Sequence, residues 1–205
     1  MMFLKLNKYS MVQNIPNLLS VFRLVLIIFI LHYLFRDTVL DSVIAMVLYL
    51  FGILTDFLDG YIARKYNCVT GLGKVLDATV DKVFFFSILG SLIFLEVYSL
   101  KLLWFFILIH VVRDVLVTGF RRKLSKNGFY LGASHMGKIK TVFQFLFLFI
   151  GLGIVYLNRT LCLSEIIIFI QLFSYIIYIV SVLLSISSGL NYFKLYQEKQ
   201  DEFKS

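Results

Sequence analysis

The sequence predicts an all-α polytopic membrane protein: one integral membrane domain over residues 1–205, built on six transmembrane helices. Three observations lead there. Of the 205 residues, 60% are hydrophobic and only 16% charged, with a mean hydropathy of +0.89. A soluble domain does not carry so much apolar surface. The apolar residues also fall in runs of about 20, the length that crosses a hydrocarbon core. The polar intervals between those runs are too short to bury a core of their own.

The expected spans are residues 18–35, 42–62, 83–100, 102–120, 139–158 and 165–188. Ahead of the first lies a short N-terminal segment, 1–15, amphipathic enough over 3–13 to lie along a membrane surface. Pro16, the only proline, suits a first helical turn, where its missing N–H is no loss. No A-x-A-like site follows the first apolar run, so that run is expected to be retained rather than cleaved. Arg23 comes early in this helix, where it can snorkel or point into a polar cavity. The second helix, SVIAMVLYLFGILTDFLDGYIARKY, is apolar first and abruptly polar at its end. NCVTGLG reads as a loop, with the third helix beginning near Val75. The fourth span carries Arg113, and the basic stretch RRKLSKNGFYLGASHMGK joins it to the fifth. A polar tail, 191–205, follows the sixth. There is no internal repeat.

Charge placement orients the chain. With these spans, 16 of the 20 Lys and Arg residues fall to one side, counting Arg23 and Lys140 near that end of their spans, and 3 (Arg36, Lys101, Arg159) to the other; Arg113 stays inside the fourth span. By the positive-inside rule both termini are cytoplasmic, in the cell (inner) membrane. The net charge of +8 is thereby absorbed by topology, and nucleic acid is not an expected partner. Cys68 and Cys162 fall on opposite sides and cannot pair; neither sits in a metal-ligand cluster.

Four aspartates sit at the cytoplasmic edge. A lone Asp at a helix centre in the bilayer costs roughly 2.5–3.5 kcal/mol, so four need a purpose. Asp56 and Asp59 are three apart and Asp77 and Asp81 four apart, so each pair shares one helix face. Gly71 and Gly73 let the connection turn back, so that the pairs can face each other. Clustered anions repel unless cations sit among them, and all-oxygen ligation suits Mg²⁺ or Mn²⁺ together with substrate phosphate. Gly60 and Ala63 share the Asp56/Asp59 face and leave room for a flat base or ribose, and Arg64 can clasp phosphate.

Asp56-x-x-Asp59-Gly60-x-x-Ala63-Arg64, eight residues, then Gly73-x-x-x-Asp77-x-x-x-Asp81 resembles the signature of the CDP-alcohol phosphatidyltransferases without a departure. The resemblance implies that family's six-helix membrane fold, generally dimeric. It implies an enzyme that joins an alcohol to the phosphatidyl group of CDP-diacylglycerol and releases CMP. It further implies two divalent ions on Asp56, Asp59, Asp77 and Asp81, with Asp81 as general base. Asp56, Asp59, Gly60, Ala63, Arg64 and Gly73 are then the CDP-diacylglycerol site.

A second constellation bears on the alcohol. Arg113, Val117 and Arg121 lie at i, i+4 and i+8 on one face of the fourth helix, and Lys138 and Lys140 open the fifth. Converging cations ask for an anionic acceptor, most simply one carrying phosphate. NIPNLLSVFR, VRDVLVTGFR and ASHMGKIKT are similar to blocks of the phosphatidylglycerophosphate synthases, a bacterial branch of the family. That likeness implies sn-glycerol 3-phosphate as acceptor, held by Arg113, Thr118, Arg121 and Lys138. Asp114 stands where that branch more usually has glutamate, and receives no catalytic role. His110 and His135 suit helix packing and loop positions; Trp104 suits a lipid-facing one.

Three rivals remain. An inositol phosphate acceptor would satisfy the same cations. A membrane prenyltransferase uses aspartate pairs with Mg²⁺ and diphosphate, but leaves Gly60-x-x-Ala63-Arg64 unexplained. A divalent-cation transporter would place its carboxylates near the midplane, whereas these lie at one edge.

Overall fold

The computed structural model describes residues 2–65, 71–126, 135–160 and 164–204. The side chains of 2–16, 63, 64, 71, 72, 74, 75, 126 and 201–204 lie outside that description, as do Cys68 and Cys162. Among the described residues there are six α-helices and no strand: α1 (Met2–Leu34), α2 (Val39–Lys65), α3 (Gly71–Phe94), α4 (Leu100–Lys126), α5 (His135–Thr160) and α6 (Ser164–Lys204).

Four stretches are long and apolar enough to cross a membrane: Asn17–Leu34, Val39–Ile62, His135–Thr160 and Ser164–Gln200. Their outward faces carry large apolar side chains, among them Ile28, Phe57 and Phe169, each about two-thirds exposed or more. Surfaces of that kind mark contact with an apolar medium rather than water. The chain is a multi-pass membrane protein. The remaining two helices, α3 and α4, are as long, but their apolar lengths are interrupted by Asp77, Asp81 and Lys82 and by Lys101, Arg113 and Asp114.

Several boundaries differ from those read off the sequence. α1 is one helix from Met2, and Pro16 lies inside it rather than in a first turn; the proline ring removes one backbone donor there. α3 starts at Gly71, so Gly71 and Gly73 belong to its first turn and not to the connecting loop. Residues 191–204, expected as a polar tail, continue α6, which reaches 41 residues. At 1.5 Å per residue that is about 60 Å, twice a hydrocarbon core. Polarity marks where such a helix leaves lipid, not where it ends.

The chain divides into two compact units. Residues 1–97 and 151–167 form the first; residues 98–150 and 168–205 form the second. In the first, α1 packs against α2 and α3 around Ile30, Ala45, Tyr49, Phe84, Ile88 and Leu92, all buried. Tyr49 stacks on Phe84 at 5.5 Å. Gly52 makes that possible, since a Cβ there would stand 2.6 Å from the Phe84 ring. Thr38 opens α2: its hydroxyl accepts from the Asp41 N–H at 3.1 Å and donates to the Asp41 carboxylate at 2.6 Å, an N-cap arrangement. Arg159, on α5, donates to the Leu34 carbonyl at 2.8 Å and to Ser42 Oγ at 2.7 Å. It thus satisfies a carbonyl at the α1 C-terminus. Two residues past the end of α3, Glu96 stands at φ 58°. The Glu96 and Val97 N–H groups reach back to the Ile93 and Leu92 carbonyls, a Schellman ending in which glycine is the usual residue.

In the second unit the core is a ladder of rings. Tyr98 stacks on Phe147 at 4.3 Å and Phe147 on Tyr178 at 4.5 Å. The Tyr98 hydroxyl donates to the Phe147 carbonyl at 3.1 Å. Ser174, Ser181, Ser185 and Ser188 on α6 are fully buried, small side chains of the kind that let membrane helices approach closely.

Candidate active site

In the first unit α2 and α3 each deliver a carboxylate pair from one helix face, and the two pairs converge. Ligand oxygens of Asp56, Asp59 and Asp77 lie within 4.8 Å of one another, close enough to hold a metal ion. A residue from α1 bonds all four. Arg23, on α1, is 1% exposed. Its Nη1 donates to Asp56 at 2.6 Å and to Asp81; its Nη2 donates to Asp77 at 2.9 Å and to Asp59. One guanidinium therefore bonds all four carboxylates. Asp59 is buried, while the Asp77 and Asp81 side chains are 45% and 38% exposed, so the cluster has a dry side and an open one.

These residues fit a divalent cation. The donors are all hard oxygens at a mutual spacing one ion can span, and the cluster already gathers positive charge. Gly60 shares the α2 register of Asp56 and Asp59 and is half-buried; Gly73 is half-buried in the first turn of α3. Ala63 and Arg64 continue α2, but their side chains lie outside the described residues. Sequence reading left Arg23 between snorkelling and a polar cavity. The signal for more was present: a guanidinium inside an apolar span needs anionic partners, and four carboxylates elsewhere in the chain had none.

In the second unit the Arg113–Val117–Arg121 face of α4 turns toward α6. Val117 is buried. Arg113 donates to Ser188 Oγ through Nη2 and lies 5.8 Å from the centre of the Tyr192 ring. Arg121 lies 4.7 Å from the same ring and donates to its hydroxyl. Beyond these pairs, Asp114 accepts from Arg113 Nη1 at 3.0 Å and from Lys140 Nζ at 2.9 Å. Of the two lysines that open α5, Lys140 is buried and Lys138 exposed. Thr118 is exposed and donates to the Asp114 carbonyl at 2.6 Å. Arg113 also lines an otherwise apolar cavity of about 540 Å³ between α4 and α6. His110 is buried beside Ser181 Oγ at 3.3 Å and against Tyr178, a packing position; His135 is exposed at the start of α5.

Tyr192, Ser188, the Lys140–Asp114 pairing and the bridging role of Asp114 went unread in the sequence. All but Asp114 depend on which faces of α5 and α6 meet α4, and spacing along one chain does not give that.

The family model for CDP-alcohol phosphatidyltransferase matches residues 13–187. The chain belongs to the CDP-alcohol phosphatidyltransferase family. All eight signature positions fall inside the matched range, as do Arg23, Arg113, Asp114, Arg121 and Lys140. Among curated proteins the chain is similar to a CDP-diacylglycerol–glycerol-3-phosphate 3-phosphatidyltransferase of Rickettsia felis. The two are 32% identical over 188 residues, which is 89% of this chain and 94% of that one. It is also similar to proteins of the same name from Aquifex aeolicus, 42% identical over 64% of this chain and 71% of that one, and from Rickettsia typhi, 31% identical over 89% and 96%.

Proposed function

We propose that this family member transfers the phosphatidyl group of CDP-diacylglycerol to sn-glycerol 3-phosphate, giving phosphatidylglycerophosphate and CMP. The observation that carries the transfer reaction is the convergence of Asp56, Asp59, Asp77 and Asp81 from two helices on one point. The acceptor follows from the name shared by the similar proteins and from the cations gathered on α4 and α5.

In this reading the four aspartates hold two divalent ions, Mg²⁺ or Mn²⁺. Such ions polarise the diphosphate and neutralise the departing CMP. Gly60, Ala63, Arg64 and Gly73 bind the CDP moiety with Asp56 and Asp59. Arg113, Thr118, Arg121 and Lys138 hold the acceptor phosphate, with Lys140 and Asp114 fixing the Arg113 guanidinium. Asp81 takes the proton from the free primary hydroxyl of the acceptor. That oxygen forms a bond to the phosphatidyl phosphorus, and the bond to the bridging oxygen of CMP breaks. The acyl chains stay in the bilayer throughout. The reading includes six membrane spans, with the charges of α3 and α4 belonging to the site rather than arguing against insertion. It also includes a homodimer, and an active site and both termini on the cytoplasmic face of the cell membrane.

The test is CMP release by the purified protein with CDP-diacylglycerol and Mg²⁺, across glycerol 3-phosphate, inositol 1-phosphate, serine and glycerol. Release with glycerol 3-phosphate alone is the expected result. Release with inositol phosphate instead would keep the aspartate site and overturn the acceptor.

A further inference from the structure

We infer that Arg23 is the resident counter-cation of the carboxylate cluster, and that divalent ions enter by exchange with it. This rests on the reading that the aspartates hold the metal. Each aspartate already commits an oxygen to the guanidinium: Asp56 and Asp81 to Nη1, Asp59 and Asp77 to Nη2. The three whose oxygens are close enough for one ion, Asp56, Asp59 and Asp77, are all among these partners. Mg²⁺ requires oxygens at about 2.0–2.1 Å in near-octahedral order, so an ion drawing on those three carboxylates displaces the guanidinium from at least part of its set.

Charge supplies the reason for a resident cation. Four carboxylates at one place repel in a poorly polarisable medium, and removal of the buried guanidinium they share would leave the cluster without that compensation whenever metal is absent. Arg23 therefore keeps α2 and α3 in register before metal arrives. Two features suit it to giving way. Its Nε is buried with no hydrogen-bond partner among the described residues, so the guanidinium is incompletely satisfied where it sits. It also comes from α1, whereas the ligands come from α2 and α3, so it can withdraw by a rotamer change without moving any ligand backbone. Once displaced it remains a fixed positive charge at the edge of the site, suited to phosphate oxygens.

The experiment titrates Mn²⁺ into the purified full chain without substrates, reading free Mn²⁺ by its EPR signal and the thermal midpoint in parallel. Loss of a competing cation in Arg23→Gln should tighten Mn²⁺ binding by about tenfold or more. It should also lower the metal-free midpoint and enlarge the rise that Mn²⁺ produces. Arg23→Lys keeps one charge without the two-pronged fork and should tighten binding by a few-fold, which keeps the test decisive if the glutamine variant does not fold. Unchanged or weaker Mn²⁺ binding in the variants, with wild type binding normally, would overturn the exchange and leave the metal reading standing. Absence of saturable Mn²⁺ binding in wild type would overturn the metal reading and the exchange together.

Discussion

The two units solve one electrostatic problem with opposite signs. In the first, four anions from α2 and α3 close on a single cation, Arg23 of α1. In the second, two cations, Arg113 of α4 and Lys140 of α5, close on a single anion, Asp114. In each case one residue of the minority charge holds the set together, because like charges gathered away from bulk water need an opposite charge at their centre. The residual charges differ. The aspartate cluster keeps an excess of negative charge and calls for cations; the α4–α5 cluster, with Arg121 nearby, keeps an excess of positive charge and calls for an anion. A metal-bound diphosphate and a phosphorylated alcohol are ligands of those two kinds.

The sharpest way to break the comparison is to remove a charge whose role is chemical rather than architectural. Asp81 is one of four carboxylates on Arg23, so its loss leaves three still gathered. In the proposed mechanism it is also the proton acceptor, and general base catalysis is worth about 10²–10⁴ in rate. Asp81→Asn should therefore lower kcat by about that factor while CDP-diacylglycerol binding is largely kept, measured by CMP release beside equilibrium binding of the lipid nucleotide. Near wild-type turnover would take the general base role away from Asp81.

The next largest effects belong to the second cluster and should appear in a different constant. In the proposed acceptor site Arg113→Ala removes a charge-assisted contact to phosphate, of the order of 1.5–3 kcal/mol. The KM for glycerol 3-phosphate should rise by roughly ten- to a hundredfold, with that for CDP-diacylglycerol nearly unchanged. Asp114→Asn removes the negative charge that Arg113 and Lys140 share and should raise the same constant by a smaller factor, with Asp114→Glu recovering part of the loss. Equal changes in both Michaelis constants would mean that the cluster supports the fold and does not select the acceptor.

How much of this was visible beforehand follows the same division. The aspartate cluster was legible because its ligands sit within 26 residues of one another on two consecutive helices, and i, i+3 and i, i+4 spacing fixes a shared face. Its centre was not, since Arg23 is 33 residues before Asp56 and only packing of α1 joins them. On α4, the face carrying Arg113, Val117 and Arg121 was readable from its period of four. Lys138 and Lys140 were read together as one basic run, and only burial distinguishes them: Lys140 is buried and Lys138 exposed. Polarity bounded the sixth span but not its helix: residues 191–204 are both polar and helical. Pro16 failed as a start signal, for α1 runs through it.

The smallest predicted effect probes how closely the second cluster is set. Gly189 on α6 faces the Arg113 stem, and a Cβ there would lie 3.2 Å from Arg113 Cγ, tighter than ordinary packing, so the side chain must shift by a few tenths of an ångström. The neighbouring Ser188 Oγ accepts from the same guanidinium, which limits how freely it can re-aim. Gly189→Ala keeps every charge and every named hydrogen-bonding group, so it tests position alone. Overpacking of this size costs about 1 kcal/mol where the neighbour can yield, which corresponds to about a fivefold rise in the KM for glycerol 3-phosphate at nearly constant kcat. A loss in kcat instead would place Arg113 closer to the reacting phosphorus than an anchoring role requires. A wild-type KM would mean that the cluster selects its ligand by charge and tolerates slack in position, and the likeness between the two clusters would then stop at electrostatics.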